Sequence, residues 1–209
     1  MDRRQFLSFI GITVSGCAYT NRQDPLYRSY VTEVPEKHGF VFGSLGHTGR
    51  SPYASVRLLY RAKGFQISRS FLYVGGILPQ FQFAEGNSHG SVFFAQLAPA
   101  EYEIFDFQLF RDRGPLGGTI FRSRAEFSVP FSIAEDRATY LGQILTVTEY
   151  GENLFSVTVA AGGHFVVSDQ MERDLRLLQS QLKDLDISKV DRALIEPKGG
   201  LPFFPGKSE

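Results

Sequence analysis

Residues 86–90, Gly-Asn-Ser-His-Gly, have the Gly-x-Ser-x-Gly spacing that presents a nucleophilic serine hydroxyl in hydrolases. That chemistry needs a strand before Ser88 and a helix after it, so that a strained turn exposes the hydroxyl. Residues 91–97, SVFFAQL, follow instead, and their composition favours a strand. No aspartate and histidine lie at recognisable downstream positions. The sequence therefore predicts a hairpin loop at 86–90 and no catalytic serine.

The four histidines do not have the spacing of a metal site. No two of them form a His-x-His or His-x3-His pair, so any site would need ligands from distant loops. We predict a surface or turn position for each histidine, and no metal site. The four are His38, His47, His89 and His164.

The remaining candidates for chemistry are a glycine-rich stretch and two carboxylate pairs. Residues 46–53, GHTGRSPY, could cradle an anion, but they lack the Gly-Lys-Ser/Thr ending and the helix of a phosphate loop. The pairs Glu101/Glu103 and Glu135/Asp136 fit solvated strand and turn positions better than a glycosidase site. We predict a plain loop, no catalytic residue and no cofactor.

The N-terminus has the layout of an export signal. Arg3 and Arg4 precede a mostly apolar run at 6–14, which matches a basic region followed by a 7–15-residue apolar region. The run is shorter than the roughly 20 residues that a membrane span needs. It ends in Val14-Ser15-Gly16-Cys17, which resembles the lipobox of bacterial lipoproteins. The resemblance implies cleavage between Gly16 and Cys17 and a lipid on Cys17.

Cys17 is the single cysteine of the chain, and lipidation explains why an exported chain carries an odd thiol. The alternative is a buried cysteine in an N-terminal helix of a cytosolic protein. Two glyceryl-linked chains and an N-acyl chain would anchor the protein durably, since one acyl chain alone is marginal. Ala18 after the cysteine implies the periplasmic face of the outer membrane in a Gram-negative host. Residues 3–7 resemble a twin-arginine motif and equally fit the general export route.

The charge composition argues against nucleic acid as a partner. The chain has 22 basic and 22 acidic residues, hence a formal net charge of zero. Nucleic-acid binding demands clustered Lys and Arg, which are absent. No polybasic run suited to anionic lipid occurs either, so the acyl chains on Cys17 would be the membrane contact.

The body of the chain consists of short strand-like segments separated by turn residues. In 102–110, apolar and polar residues alternate with the period of two that marks a half-buried strand. Such segments at short spacing indicate a mainly β fold: an antiparallel β-sandwich of about seven or eight strands with Greek-key topology, over 39–167. The segments are 40–45, 54–62, 65–74, 91–97, 102–110, 119–133, 138–150 and 154–160.

One amphipathic helix is predicted after the strands. Asp169 and Glu172 have the spacing of a capping box. A stripe of Met171, Leu175, Leu178, Leu182 and Leu185 then forms an apolar face that favours docking on the domain's own sheet, with a partner as the alternative. Arg173, Asp174, Arg176, Lys183 and Asp184 lie off this stripe.

The predicted organisation has four parts. Residues 1–16 form the signal peptide, 17–38 the lipidated cysteine and a tether, 39–167 the sandwich, and 168–209 the C-terminal helix with an apolar tail. The tail contains Leu201, Phe203 and Phe204 and would dock on the domain or on a partner.

Two stretches carry a family resemblance. LAPAEYEI at 97–104 resembles the Leu-x-Pro-Gly-x-Tyr corner of transthyretin-like and carboxypeptidase-regulatory-like sandwiches. In that corner the tyrosine hydroxyl bonds back to upstream backbone. Ala100 replaces the usual glycine, so the turn must avoid positive φ. PFSIAEDRATYLGQI at 130–144 resembles a segment of small bacterial lipoproteins whose sandwich has no assigned function. These motifs carry no catalytic residues.

From these observations we expect a membrane-anchored envelope lipoprotein that acts as a non-enzymatic binding or assembly module with an envelope protein partner. One alternative is an accessory lipoprotein of a secretion machine. Another is an enzyme with dispersed loop residues, which a pocket holding His47, His89 or His164 beside carboxylates would favour.

Overall fold

The computed structural model describes residues 37–75, 82–112, 114–124, 126–182 and 189–195. The predictions for the signal peptide, for Cys17 and for the tail at 196–209 lie outside these residues.

The described chain forms eleven strands, one α-helix and one short 3-10 turn at Gly114–Leu116. The elements are β1 (Gly39–Thr48), β2 (Ser55–Ala62), β3 (Ser68–Val74), β4 (Gln82–Glu85), β5 (Ser88–Leu97), β6 (Ala100–Asp112), β7 (Gly118–Arg122), β8 (Val129–Ile133), β9 (Ala138–Glu152), β10 (Thr158–Ser168), α1 (Met171–Gln181) and β11 (Val190–Arg192).

The strands form two sheets, which confirms the mainly β sandwich with one helix. The first sheet has the order β10-β9-β1-β5-β4, with β11 beside the start of β9. The second has the order β3-β2-β6-β7, with β8 also paired to β6. β9 runs parallel to both β1 and β11, whereas the other pairs are antiparallel. The parallel β1–β9 pair arises because the short connection at 134–137 brings the chain into the first sheet at the end where β1 begins.

Aromatic and aliphatic side chains fill the space between the sheets. The Phe71 ring of the second sheet stacks on Phe93 of the first, with centroids 4.2 Å apart. The Tyr60 ring also stacks on the Phe71 ring, with centroids 4.3 Å apart. These contacts place one hydrophobic core between the two sheets, as sandwich packing requires.

The helix packs on the outer face of the first sheet, so the molecule has three layers. Leu178 is buried, and Met171, Leu175 and Leu182 pack against the core, as the stripe predicted, while Leu185 of the stripe lies outside the described residues. The N-cap is Gln170, without a side-chain capping bond. The predicted capping box is therefore wrong, although an Asp169 carboxylate oxygen accepts a bond from the Met171 N–H at 3.0 Å.

Two predicted strand segments differ from the structure. The segment 119–133 is divided into β7 and β8, which both pair with β6. The predicted segment 154–160 begins too early, because residues 153–157 form the tip of the β9–β10 hairpin and β10 begins at Thr158. The Asn153 side chain holds this tip by accepting bonds from the N–H groups of Phe155 and Val157, at 2.9 and 3.0 Å. Such an Asx turn competes with strand formation.

The tyrosine corner forms as predicted. The Tyr102 hydroxyl donates a hydrogen bond to the Ala98 carbonyl at 2.9 Å. Ala100 avoids positive φ, since the only non-glycine residues of the described chain with positive φ are Asp136 and Ser156.

Candidate functional site

The Gly-x-Ser-x-Gly motif lies in a tight hairpin between β4 and β5. Glu85 pairs with Ser88, and Gly86 adopts a φ of +57° between them. No helix follows the serine, because β5 begins at Ser88 itself. The predicted hairpin is confirmed, and the geometry that activates a serine hydroxyl is missing from this turn.

The structure brings His47 and His89 together as a cross-strand pair of β1 and β5. Their ring centroids are 5.6 Å apart, and Tyr73 of the second sheet lies 5.9 Å from His47. His47 is half-buried in a strand, so its predicted surface or turn position is wrong. Its Nδ1 lies 2.9 Å from the Gly49 carbonyl, which can only accept, and therefore carries the proton.

The other two histidines stay apart from this pair. His164 of β10 contacts the Glu149 carboxylate at 2.9 Å, and the His38 ring packs edge-on against Phe40. Across the described ranges, no group of three or more His, Cys, Asp or Glu residues is arranged to hold a metal ion.

We expect the His47–His89 pair to make the fold sensitive to mild acid. Burial lowers the pKa of His47 most strongly, the Gly49 bond opposes this, and the neighbouring His89 lowers the pKa further. Because the folded pKa lies below the unfolded value of about 6.5, the unfolded chain takes up protons more readily below that pH. The free energy of unfolding should fall as pH drops below about 6.5 and should be unaffected by this group above it.

Urea unfolding between pH 7 and pH 5 measures this effect. His47→Gln should flatten the pH dependence and His89→Gln should reduce it, whereas Thr48→Ser, next to His47 in β1, should leave it unchanged. If His47→Gln left the pH dependence of the free energy of unfolding unchanged, groups other than His47 would cause the acid sensitivity.

A buried group of polar side chains lies beneath α1. We call it the polar cluster: Ser44, Tyr140, Gln143, Arg173 and Asp174. Asp174 is 0% exposed. One of its oxygens accepts from the Ser44 hydroxyl at 2.8 Å and the Tyr140 hydroxyl at 3.0 Å. The other accepts from Nε and a terminal nitrogen of Arg173, at 3.0 and 2.6 Å.

Arg173 extends the polar cluster across three strands. Its guanidinium donates to the Ser44 hydroxyl on β1 and the Glu85 carboxylate on β4, at 3.0 and 3.1 Å. It lies 3.7 Å from the centre of the Phe83 ring. With its amide nitrogen toward Ser168, Gln143 of β9 accepts from Arg173 at 2.8 and 3.0 Å.

The hydrogen bonds of the polar cluster attach the helix to the first sheet. Burial raises the pKa of Asp174, and the Arg173 guanidinium and the two hydroxyls oppose that rise. Both carboxylate oxygens are fully engaged with protein donors, so no acceptor is left for a substrate. Arg173 and Asp174 lie off the apolar stripe, and both are nevertheless buried.

The strongest candidate for an interaction site is the tip of the β9–β10 hairpin, residues 153–157, which we call the hairpin tip. Leu154 is 100% exposed and Phe155 is 83% exposed. Asn153 fixes the backbone beneath them, and its N–H also donates to the Val157 carbonyl at 3.0 Å. The two side chains are therefore held out from the domain by an ordered turn.

The hairpin tip projects beyond the sandwich. β9 is buried from Ala138 to Leu145 and its last residues, from Glu149, are mostly exposed. β1 ends opposite the middle of β9, where His47 pairs with Thr146. Exposed Tyr150 and the acidic Glu152 precede the tip, whereas Glu149, farther back along β9, contacts His164. The hairpin tip is therefore an apolar surface with one acidic neighbour, Glu152.

Comparison with known proteins places this chain in no family. No protein-family model matches it, and no curated protein matches it. Among solved structures it is similar to a leucine-rich repeat protein from Bacteroides thetaiotaomicron, with 10% sequence identity and a TM-score of 0.31. The match covers 50% of this chain and 13% of the other, so this chain spans a small part of that protein's length. A TM-score of that size supports no argument about fold or function.

Proposed function

We propose that this chain is a lipid-anchored protein of the bacterial envelope that acts as a non-enzymatic binding or assembly module. The observation that carries the proposal is the hairpin tip, where Leu154 and Phe155 stand exposed on an ordered turn. A contiguous exposed apolar patch on a soluble domain often marks an interaction site, whereas single exposed apolar residues are ordinary. The proposed partner is an envelope protein.

The position of the hairpin tip fits an anchored module. The described chain enters the sandwich at Gly39, beside Ala138 at the start of β9. The 15 residues of β9 then run to the opposite end, a distance of about 50 Å at the usual rise of a strand. A lipid on Cys17 would hold the Gly39 end toward the membrane, so the hairpin tip would be presented on the far side.

The charge around the hairpin tip indicates which properties a complementary partner surface would have. Glu152 adjoins the apolar side chains, and no basic residue occurs between 149 and 158. Glu149 is already in contact with His164 at 2.9 Å. A complementary surface would have an apolar recess for Phe155 with a basic residue at its rim. Aromatic anchors in such recesses commonly dominate binding energy.

The placement of the reactive side chains supports a non-enzymatic role. Ser88 lies in a hairpin, His47 faces another histidine and a tyrosine, and the Asp174 carboxylate is saturated. A role as an accessory lipoprotein of a secretion machine is a narrower form of the same proposal. Cross-linked co-purification with ring proteins of such a machine would distinguish it.

The mass of the N-terminal peptide from the membrane fraction tests the proposed export and lipid attachment. We expect a peptide that begins at Cys17 with two or three acyl chains, and membrane retention that is lost in Cys17→Ser. The matched control is Thr20→Ser, outside the lipobox, which should be processed and retained like the wild type. A soluble, unmodified chain that begins at Met1 would contradict the proposal.

In the described residues no helix is long and apolar enough to cross a membrane.

A further inference from the structure

We propose that the loop between β2 and β3 docks on the lipid surface that anchors the chain. We call residues 63–69, Lys-Gly-Phe-Gln-Ile-Ser-Arg, the basic loop. The inference rests on the proposed membrane anchor and adds a second contact: an anionic lipid surface, met by the folded domain itself.

The basic loop exposes two apolar side chains close together. Phe65 is 65% exposed and Ile67 is 77% exposed. The turn beneath them is ordered, because the Phe65 N–H donates to the Ala62 carbonyl at 3.0 Å and Gly64 adopts a φ of +81°. The domain therefore presents both side chains to its surroundings.

The charge of the basic loop complements an anionic surface. Exposed Lys63 and Arg69 flank the apolar pair. The acidic Glu101 and Glu103 lie beside the loop, where Ser132 and Arg61 donate to their carboxylates. Arg61 at the edge of the loop is already paired with Glu103 and Glu126, at 2.8 and 3.1 Å. Lys63 and Arg69 thus supply the positive charge that anionic headgroups attract.

The basic loop lies at the end of the sandwich where the described chain begins. The Lys63 N–H donates to the Glu101 carbonyl at 3.0 Å, next to the connection from β5 to β6. β5 ends at Leu97, which pairs with Gly39 at the start of β1. Glu101, Leu97 and Gly39 therefore mark one end of the molecule, and the basic loop shares it.

The order of the chain places this end closest to a lipid on Cys17. Residues 17–38 separate Cys17 from Gly39, so Gly39 is the part of the sandwich nearest to the proposed anchor along the chain. The hairpin tip lies about 50 Å farther away along β9 and has an acidic neighbour, Glu152. Position and charge therefore assign lipid to the basic loop, and a protein partner to the hairpin tip.

A single tryptophan at the basic loop tests the inference, because the chain contains none. The full chain with Phe65→Trp is coupled through the Cys17 thiol to a maleimide lipid in vesicles of phosphatidylethanolamine and phosphatidylglycerol. We expect the emission to shift to the blue and to be quenched by brominated lipid. The matched control is Phe155→Trp, coupled in the same way, whose emission should stay as it is without vesicles. Ile67→Trp repeats the measurement at a second position.

Chemical coupling supplies the anchor, so this test is independent of whether cells lipidate Cys17. An unlipidated Cys17 in cells would overturn the proposed function but not the vesicle result. Unshifted emission of Phe65→Trp and Ile67→Trp on anchored vesicles would overturn the docking. An equal shift of Phe155→Trp would overturn it as well, because the contact would then lack a preferred end. Thermal unfolding midpoints of the tryptophan variants equal to that of the wild type would exclude misfolding as the cause of any difference in emission.

Charge reversal tests the electrostatic contribution to docking of the basic loop on lipid. Lys63→Glu with Arg69→Glu, in the Phe65→Trp background, should weaken lipid contact at least tenfold, since each basic residue near an anionic surface contributes about a fivefold factor. The control reverses Arg57 and Arg122, which flank Gln108 in the second sheet toward the other end. Equal quenching in both double variants would remove the assigned role of Lys63 and Arg69.

Discussion

Replacement of Asp174 by alanine is expected to lower the free energy of unfolding by about 3–5 kcal/mol. The change leaves the Arg173 guanidinium buried without its main counter-charge, and it leaves the Ser44 and Tyr140 hydroxyls without their acceptor. Removal of one partner of a buried ion pair costs far more than removal of both, because the remaining charge has lost its hydration. Urea unfolding measures the effect as a shift of midpoint at constant slope.

Glu172→Ala is the matched control, because Glu172 is the neighbouring acidic residue on the same helix and is exposed. It should change the free energy of unfolding by no more than about 0.5 kcal/mol. The double replacement of Arg173 by Met and Asp174 by Leu should be less damaging than Asp174→Ala alone. If Asp174→Ala and Glu172→Ala had the same midpoint, the polar cluster would not hold the helix to the sheet.

Loss of Leu154 and Phe155 is expected to remove most of the partner binding without unfolding the domain. Leu154→Ser with Phe155→Ser should weaken binding by roughly 1,000-fold, because apolar anchors at the centre of an interface each contribute about 2 kcal/mol or more and each 1.4 kcal/mol is a factor of ten. Site-specific photo-cross-linking from position 157 in cells should give a discrete adduct, and this adduct should disappear in the double variant.

The control for the hairpin tip is Ile120→Ser, because Ile120 is an exposed apolar residue on β7, outside the hairpin. The adduct should persist there at wild-type intensity. Both variants should keep the wild-type free energy of unfolding to within about 0.5 kcal/mol, since all three side chains are exposed. Persistence of the adduct in the double variant would move the partner site away from the hairpin tip.

Much of the fold followed from local patterns. Alternation in 102–110 predicted β6, and the tyrosine corner at Tyr102 formed with the expected bond to Ala98. The short strands β4 and β11 went unpredicted, because three or four residues carry too few alternating positions to be recognised. Leu154, Phe155 and Val157 have strand-like composition and therefore predict a strand, whereas the Asn153 turn that exposes them depends on a few hydrogen bonds.

The residues beneath the helix were hidden from a sequence-based prediction for a different reason. A helical projection puts Arg173 and Asp174 beside the apolar stripe, where charged residues normally face water. The sheet beneath α1 carries Ser44, Tyr140 and Gln143, so the helix can bury this pair on polar partners. Those partners lie far away along the chain, and no local pattern links them to the helix.

Periodicity, turn residues and signal layout are encoded within a few neighbouring residues, so they predict the predominance of strands, the position of the helix and the lipobox-like segment at Cys17. Which apolar residues remain in water and which charged residues leave it depends instead on how the strands and the helix pack. This packing sets Phe65 and Ile67 at one end, Leu154 and Phe155 at the other, and Asp174 in the interior. Burial is a property of surfaces that meet after folding, so it depends on strand pairings between residues far apart in the chain.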